Sequence, residues 1–558
     1  MQAIQVVSNA VTARMLHAPR DVRLDISARL SYQVQGAEHT DAFKHRRWDG
    51  RSTFYAMRDD RFPAGFVNLV FARLKQLGYP VQLVRKALPA PLGPVNPKVD
   101  NFPHDPRYSF QMETVQALLR HGQMIAQIAT GGGKSRVARL AYARIARPTL
   151  FVTTRSVLMY QMRDSFQEHM GQRVGVLGDS EWSPKDGFNV GMAQTLSARL
   201  EDKTYESEIE RYLRNKGEAR RRAIAELRET LLQQSYDPKY IEAAVIKLKR
   251  ELEQREKNDA ELAEWIREKV DLHQARRSDT IRLLQRFEFV ILEEAHEASA
   301  NGYYDILQRC PNAAYRLSLT ATPFMREDEE ANMRLMACSG PIGIRVSEER
   351  LIELGILATP YFKYVENLPC APKLYRSTAW QRAYKYGIVE NETRNAVIVE
   401  EALKAAKYRL PVLVLVQHKA HGVELNRMLR EKGLSATFIF GKHKQSERKA
   451  ALEALRKGQL QVLVGSTILD TGVDVPALGM IIIAGGGKAE VAARQRIGRG
   501  LREKKSGPNV AFIVDFNDGH NYHLTDHAYQ RRAIVESTPG FRERILRPGE
   551  EFDYSIFR

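Results

Sequence analysis

Apolar residues in this chain fall into short bursts separated by polar, helix-period stretches. Ile125 to Ala129, Pro148 to Thr153, Phe188 to Met192 and Phe287 to Leu292 are runs with few polar interruptions. A second group comprises Val412 to Val416, Thr437 to Phe440, Val462 to Val464, Met480 to Ile483 and Val510 to Val514. Runs of this length, apolar on both faces and alternating with helical patterns, predict parallel strands covered by helices on both sides. Two such series, each the size of a domain, predict two similar α/β lobes. Ahead of them, Val22-Arg23-Leu24-Asp25-Ile26 and Leu30 to Val34 alternate like strands, Phe54 and Tyr55 continue that pattern, and Pro63-Ala64-Gly65 opens a helix ended by Gly78-Tyr79-Pro80 before a strand at Val81 to Val84.

Between about Ser197 and Gln285 the texture changes to Glu, Lys, Arg, Ala and Leu. Apolar positions such as Ala223, Ile224, Leu227 and Leu231, then Ile241, Val245, Leu248, Leu252, Leu262 and Ile266, keep a helical period, with a break at Ser235-Tyr236-Asp237-Pro238. This predicts a helical hairpin inserted between two strands. Its charges describe a solvated face as readily as a contact surface. Ala87 to Pro103 holds prolines at 89, 91, 94, 97 and 103 and reads as a semi-rigid linker. The expected organisation is a small basic α+β domain over 1–86, a linker over 87–104 and a first lobe over 105–345 with its insertion at about 200–283. An inter-lobe segment over 346–393, a second lobe over 394–535 and a tail over 536–558 complete it.

Composition narrows the class. The net charge of +18 points to a polyanionic partner, nucleic acid in preference to a membrane, because no apolar anchor accompanies it and no run of 18 apolar residues occurs. Met1 to Val7 lacks the basic-then-apolar layout of a signal peptide. Cys310, Cys338 and Cys370 are far apart, without metal-site or disulfide spacing. A cytoplasmic location, the host's if the protein is viral, is the expectation.

Chemistry concentrates at strand ends. The stretch from Ile125 through Thr130, Gly131, Gly132, Gly133, Lys134 and Ser135 reads as strand, glycine loop and helix start, which is the context in which backbone N–H groups cradle phosphates. Lys134 would reach the β- and γ-phosphates of ATP, and the Ser135 hydroxyl would hold Mg²⁺. The pattern departs at Ile128, where a P-loop has its first glycine. Glu293, Glu294 and His296 follow the run Val290-Ile291-Leu292. Glu293 is placed to orient a Mg²⁺ shell, Glu294 to activate water and His296 to link the nucleotide to a nucleic-acid path. Thr320-Ala321-Thr322-Pro323 follows the next strand. Far downstream stand Gly465-Ser466-Thr467, Asp470 to Pro476, and Gln495 to Arg502. Arg499 and Arg502, three apart, share a helix face and could reach a γ-phosphate across a cleft; the same spacing taken alone describes a solvated basic helix. In the N-terminal unit, Arg46, Arg47 and Trp48 offer phosphate contact and base stacking, or a hairpin whose Trp48 packs inward.

In order and spacing, ATGGGKS, EEAH, TATP, STILDTGVDVP and QRIGRGLR resemble the superfamily 2 helicases of the DEAH type, over about residues 105–535. Arg107 to Gln111 resembles the Q motif, with Gln111 as adenine reader. Thr153 to Leu158 resembles motif Ia, Ala193 to Leu196 the next strand-gripping motif, and Gln417 to Gly422 motif IV. The resemblance implies two tandem RecA-like lobes and ATP with Mg²⁺ as cofactors. It implies nucleotide contacts from Gly472 and Asp474, catalytic roles for Gln495, Arg499 and Arg502, and a nucleic-acid path along Thr154, Arg155, Gln194, Thr195 and Thr467. Phe43 to Gly50 with Phe62 to Gly65, Glu349 to Leu357, and Val514 to Asp518 with His527 and Arg531 are similar to the phage UvsW-type DNA helicases. That likeness implies remodelling of branched or partly single-stranded DNA, in company with single-stranded-DNA-binding or recombination proteins. RNA as substrate, or a scaffold or defence-complex subunit of weak ATPase, are the alternatives, since Glu293 stands where the family has Asp.

Overall fold

The computed structural model describes the chain except residues 1–2, 102–103, 235, 255–258, 296–300, 325–327, 442, 466–476, 488–496, 499, 505–506 and 558. Its centre is an eight-stranded sheet. From one edge to the other run Glu181–Ser183, Gly175–Gly178, Phe188–Met192, Thr149–Thr153, Phe289–Glu293, Tyr315–Thr320, Gln123–Ile128 and Ile342–Val346. Every pairing is parallel except the hairpin at Glu181–Ser183. Residues of Thr149–Thr153, Phe289–Glu293 and Tyr315–Thr320 are buried throughout, as a sheet covered on both faces demands. Because the strands are parallel, the loops that follow 123–128, 149–153, 188–192, 289–293 and 315–320 all emerge at one edge.

A second, six-stranded parallel sheet runs Thr359–Val365, Val510–Phe516, Met480–Ile483, Val412–Leu415, Val462–Gly465 and Ala436–Ile439. The two-lobe α/β architecture is therefore present, with different limits from those the patterning predicts. Thr359–Val365, expected between the lobes, is the edge strand of the second sheet. Its residues are half-buried in part, so it lacks the continuous apolar run of an inner strand. The expected tail also belongs to this lobe: Leu546 N–H donates to Phe362 O at 2.8 Å, and the Phe552 ring stacks on Phe512 at 4.3 Å.

The N-terminal domain folds as a sheet in the order Arg61–Pro63, Thr12–Leu16, Ile4–Ser8, Val81–Arg85, packed on helices Arg20–Arg29 and Val67–Gln76. The alternation expected at Val22 to Ile26 is a helix. A strand would put Leu24 beside Val22 and Ile26, yet Leu24 is 52% exposed, whereas Val22, Ile26 and Leu30, four apart, are buried in one core. This domain is seated on lobe 1. A Cβ on Gly65 would stand 2.1 Å from the Met336 carbonyl, Gln33 N–H donates to Glu329 at 2.7 Å, and Gln123 donates to Ala10 O at 2.7 Å.

The proline-rich segment is pinned along lobe 1 instead of spanning open solvent. Leu92 and Gly93 N–H groups donate to Ile145 and Arg144 carbonyls, both at 3.1 Å, Tyr315 Oη donates to Pro89 O at 2.6 Å, and Val99 is buried. The insertion contains three helices among the described residues, Tyr205–Gln233, Pro238–Gln254 and Asp259–Leu284, where the periodicity predicts two. Nothing in the described residues is long and apolar enough as a helix to cross a membrane.

Candidate nucleotide site and nucleic-acid path

The glycine loop follows Gln123–Ile128 and ends at the N-terminus of the helix Lys134–Ile145, whose first N–H groups have no partner within the helix. Gly131 and Gly133 have φ of +92° and +79°, and a Cβ on either would strike a neighbour, Leu357 at 2.6 Å or Gln111 Nε2 at 2.5 Å. Such a cradle of backbone amides fits a phosphate chain. Ile128 is fully buried as the last residue of its strand, and its Cγ2 sits 2.5 Å from where a Gly132 Cβ would be. Lys134 folds back, with Nζ donating to Ile128 O at 3.4 Å. Ser135 is exposed at the mouth of the loop. Gln111 is almost fully buried, and its amide is committed: Nε2 donates to Gly132 O at 3.1 Å and Oε1 accepts from Arg136 at 2.6 Å. It braces the phosphate loop.

Glu293 ends the strand Phe289–Glu293 and is 8% exposed. Glu294 adopts φ +44°, a left-handed conformation costly for a non-glycine residue and typical of functional sites. Strand order places Tyr315–Thr320 between the acids and the glycine loop. The TATP segment thus lies between the two halves of the lobe-1 site. There Thr322 N–H donates to Thr320 Oγ1 at 3.1 Å, while the buried Thr322 hydroxyl has no hydrogen-bond partner among the described residues.

The second lobe meets this loop directly. A Gly498 Cβ would lie 3.0 Å from Thr130 Cβ, and Ile497 and Leu501 are buried beside it. Leu357 bridges to Arg502, and Ala358 N–H donates to Leu501 O at 2.7 Å. Arg107 forms ion pairs with Asp105 at 2.8 Å and Glu503 at 2.7 Å, and these acids, Asp105 first, hold its guanidinium above its ordinary pKa. His296, Thr467, Gly472, Asp474, Gln495 and Arg499 lie outside the described residues.

Lobe 2 also holds a buried charge network. Arg394, fully buried, binds Asp518 at 2.7 Å and donates to Ala484 O at 2.6 Å; Arg531 binds Asp515 at 3.0 Å and donates to Gly487 O at 3.3 Å. His421, in the motif IV-like segment, faces Asn395 Oδ1 at 2.9 Å, and burial, then the nearby Arg394, pushes its imidazole down to about 3.

On the nucleic-acid side, Thr154 and Arg155 follow one strand and Gln194 and Thr195 its neighbour, and Gln194 Nε2 donates to Thr154 O at 2.8 Å. These segments form one ledge. Arg46 and Arg47 are exposed on the N-terminal domain, along an open groove with Phe43, Lys44 and Trp48. Trp48 is half-buried with its indole N–H donating to Arg51 O at 2.5 Å, so its polar edge serves the hairpin.

The family described as type III restriction enzyme, res subunit, matches residues 106–325, and the helicase conserved C-terminal domain matches residues 394–504, one on each lobe. The chain belongs to the superfamily 2 helicases. This helicase is 27% identical over 251 residues to the protein named helicase 22 of Sulfolobus islandicus filamentous virus, an alignment covering 43% of the chain and 44% of the relative. It is 30% identical over 125 residues to the pre-mRNA-splicing ATP-dependent RNA helicase prp-28 of Neurospora crassa, covering 22% of the chain and 17% of that relative. The helicase thus spans less than half the length of these relatives. Among solved structures, UvsW of bacteriophage T4 superposes with 15% identity and a TM-score of 0.42, covering 98% of this chain and 99% of its own. MrfA bound to DNA and AMPPNP superposes with 13% identity and a TM-score of 0.48, covering 80% and 55%.

Proposed function

We propose that this helicase is an ATP-driven, nucleic-acid-stimulated DNA translocase that remodels branched DNA by fork regression, junction migration and unwinding of D-loops or R-loops. The observation that carries the motor reading is the meeting of the glycine loop with the other lobe at Gly498, which abuts Thr130, while Leu357 of the inter-lobe connection packs on Gly131. A nucleotide in such a composite site reports its state to both lobes.

The loop amides and Lys134 would hold the phosphates. Ser135 and Glu293 would hold Mg²⁺, which when bound neutralises phosphate charge. Glu294 takes the proton from the attacking water, His296 couples the site to the ledge, and Arg499 and Arg502, with Gln495, stabilise charge on the transferred phosphoryl group. Gly472 and Asp474 complete the nucleotide contacts, and Thr467 joins Thr154, Arg155, Gln194 and Thr195 along the strand. Cyclic closure and opening of the cleft then moves one lobe along the strand relative to the other. Support for DNA, and for branches, comes from the resemblance of the N-terminal segment to UvsW-type helicases and from the net charge of +18. RNA is the second reading, favoured by the relatives named as pre-mRNA-splicing RNA helicases.

Lys134→Ala is expected to reduce nucleic-acid-stimulated phosphate release at least about 100-fold, the scale of losing a preorganised charge contact to the reacting phosphates. Normal turnover in that variant would sink the motor reading. ATP-dependent strand displacement on forks, four-way junctions, D-loops, R-loops and RNA duplexes separates the substrates; preference for RNA duplexes would replace the DNA reading. Tight binding without turnover, restored by Glu293→Asp, would instead make the chain a scaffold.

A further inference from the structure

We propose that the groove between the first and third insertion helices is a second binding site for single-stranded nucleic acid, separate from the ledge on the sheet edge. The proposal rests on the helicase reading above. Between 201 and 285 basic and acidic side chains are equal in number, so charge alone would not mark this segment. The groove departs from that balance. Its walls carry Lys203, Arg211, Lys216 and Lys269 against a single carboxylate, Glu208. Glu208 is only 4% exposed and lies 3.1 Å from Lys269, 3.4 Å from Arg211 and 3.9 Å from Lys203. Burial would push its carboxyl up, but these three cations hold it below its ordinary value. One buried anion thus gathers three cations; Lys203 also pairs with Glu201 at 3.5 Å, and the four cations still outnumber these two carboxylates.

The same groove holds two aromatic rings. Tyr212 and Trp265 meet edge to face with centroids 6.0 Å apart, and Trp265 is 38% exposed. Lys269 lies over the Trp265 ring at 5.0 Å and Lys216 over Tyr212 at 5.9 Å. Aromatic faces interleaved with cations suit a strand whose bases are free to stack and whose phosphates need neutralising. A duplex hides its base faces, and an acidic peptide offers nothing for the rings to stack on. The groove is also fixed to the motor. Arg277 donates to Leu200 O at 3.1 Å, Gln274 to Lys203 O at 2.7 Å, and a His273 ring nitrogen lies 2.8 Å from Glu201 O. These bonds seat the third insertion helix on the end of Ala193–Leu200, the helix that begins with Gln194 and Thr195. A strand held in the groove is therefore held by lobe 1 itself.

The test titrates the full-length protein with fluorescein-labelled oligo(dT) at several salt concentrations, by anisotropy and by ATP turnover, for the parent, Trp265→Ala and Lys216→Glu. Loss of one stacked base is expected to weaken binding roughly ten-fold in Trp265→Ala. Lys216→Glu is expected to lower the slope of log affinity against log salt by about 0.7. Turnover at saturating oligonucleotide stays within about two-fold of the parent in both, because neither residue touches the nucleotide site. Lys216→Glu lies on an exposed helix and keeps the test valid if Trp265→Ala melts early. Unchanged affinity and salt slope in Lys216→Glu would overturn the groove while leaving the motor reading intact. A parent with no nucleic-acid-stimulated turnover would instead sink the motor reading. Competition by poly-glutamate at equal charge concentration, as effective as oligo(dT), would overturn the assignment to nucleic acid.

Discussion

His421 ties the stability of lobe 2 to pH through a single buried side chain. It is fully buried, its Nε2 is spent on Asn395, and its Nδ1 has no hydrogen-bond partner among the described residues. Its folded value of about 3 lies below the ordinary 6.5, so protons bind the unfolded chain more tightly. The stability His421 contributes is complete above about pH 6.5 and is lost as pH falls from there towards 3. The melting temperature of the parent is expected to drop between about pH 7 and pH 5 by several degrees more than that of His421→Gln. Equal drops would remove His421 from the account. Nothing in the sequence reveals this, because His421 is a surface-like polar letter in a basic helix, and only packing against Arg394 and Asn395 makes it a core group. The glycine loop is the opposite case. Gly131 and Gly133 were legible because only glycine tolerates both their positive φ and the approach of Leu357 and Gln111. The partners themselves were not, and Gln111 braces the loop from a burial that spacing cannot show.

Elements buried on both faces could be read from apolar runs alone, and elements with one wet face could not. The strands at 149–153, 289–293 and 462–465 are of the first kind. Thr359–Val365 and the helix Arg20–Arg29 are of the second, and there period two and period 3.6 compete over too few residues to decide. The proline-rich segment misleads for another reason: prolines report stiffness, and the backbone bonds to Ile145 and Arg144 that pin it depend on where lobe 1 happens to run. Between elements, the Arg107–Glu503 pair joins the turn ahead of the glycine loop to the residue after Arg502. Both side chains are more than a third exposed, so the pair adds little to stability. Its effect is on position. Glu503→Gln is expected to leave the melting temperature within about a degree and to raise KM for ATP by up to about five-fold, the scale of ~1 kcal/mol. An unchanged KM would mean that the lobes register without it.

On the scale of the molecule, the N-terminal domain and lobe 1 form one body, locked where Gly65 abuts the Met336 and Ala337 carbonyls with no room for a side chain. Gly65→Val is expected to force the domain off its seat, at a cost of about 1–3 kcal/mol, and to expose the 87–100 segment to limited proteolysis. Resistance equal to the parent would show that the seat tolerates the added bulk. Such docking left no trace in the sequence beyond a glycine in a helix-opening turn. Lobe 1 ends its sheet at Val346 and lobe 2 starts its own at Thr359. The connection between them carries Leu351 and Leu357, the side chains that line Gly132 and Gly131. The segment that joins the two lobes is therefore also the wall of the cradle. In the proposed motor cycle, any shift of the glycines on nucleotide binding would be felt at once by Leu351 and Leu357, and so by the segment that joins the two sheets.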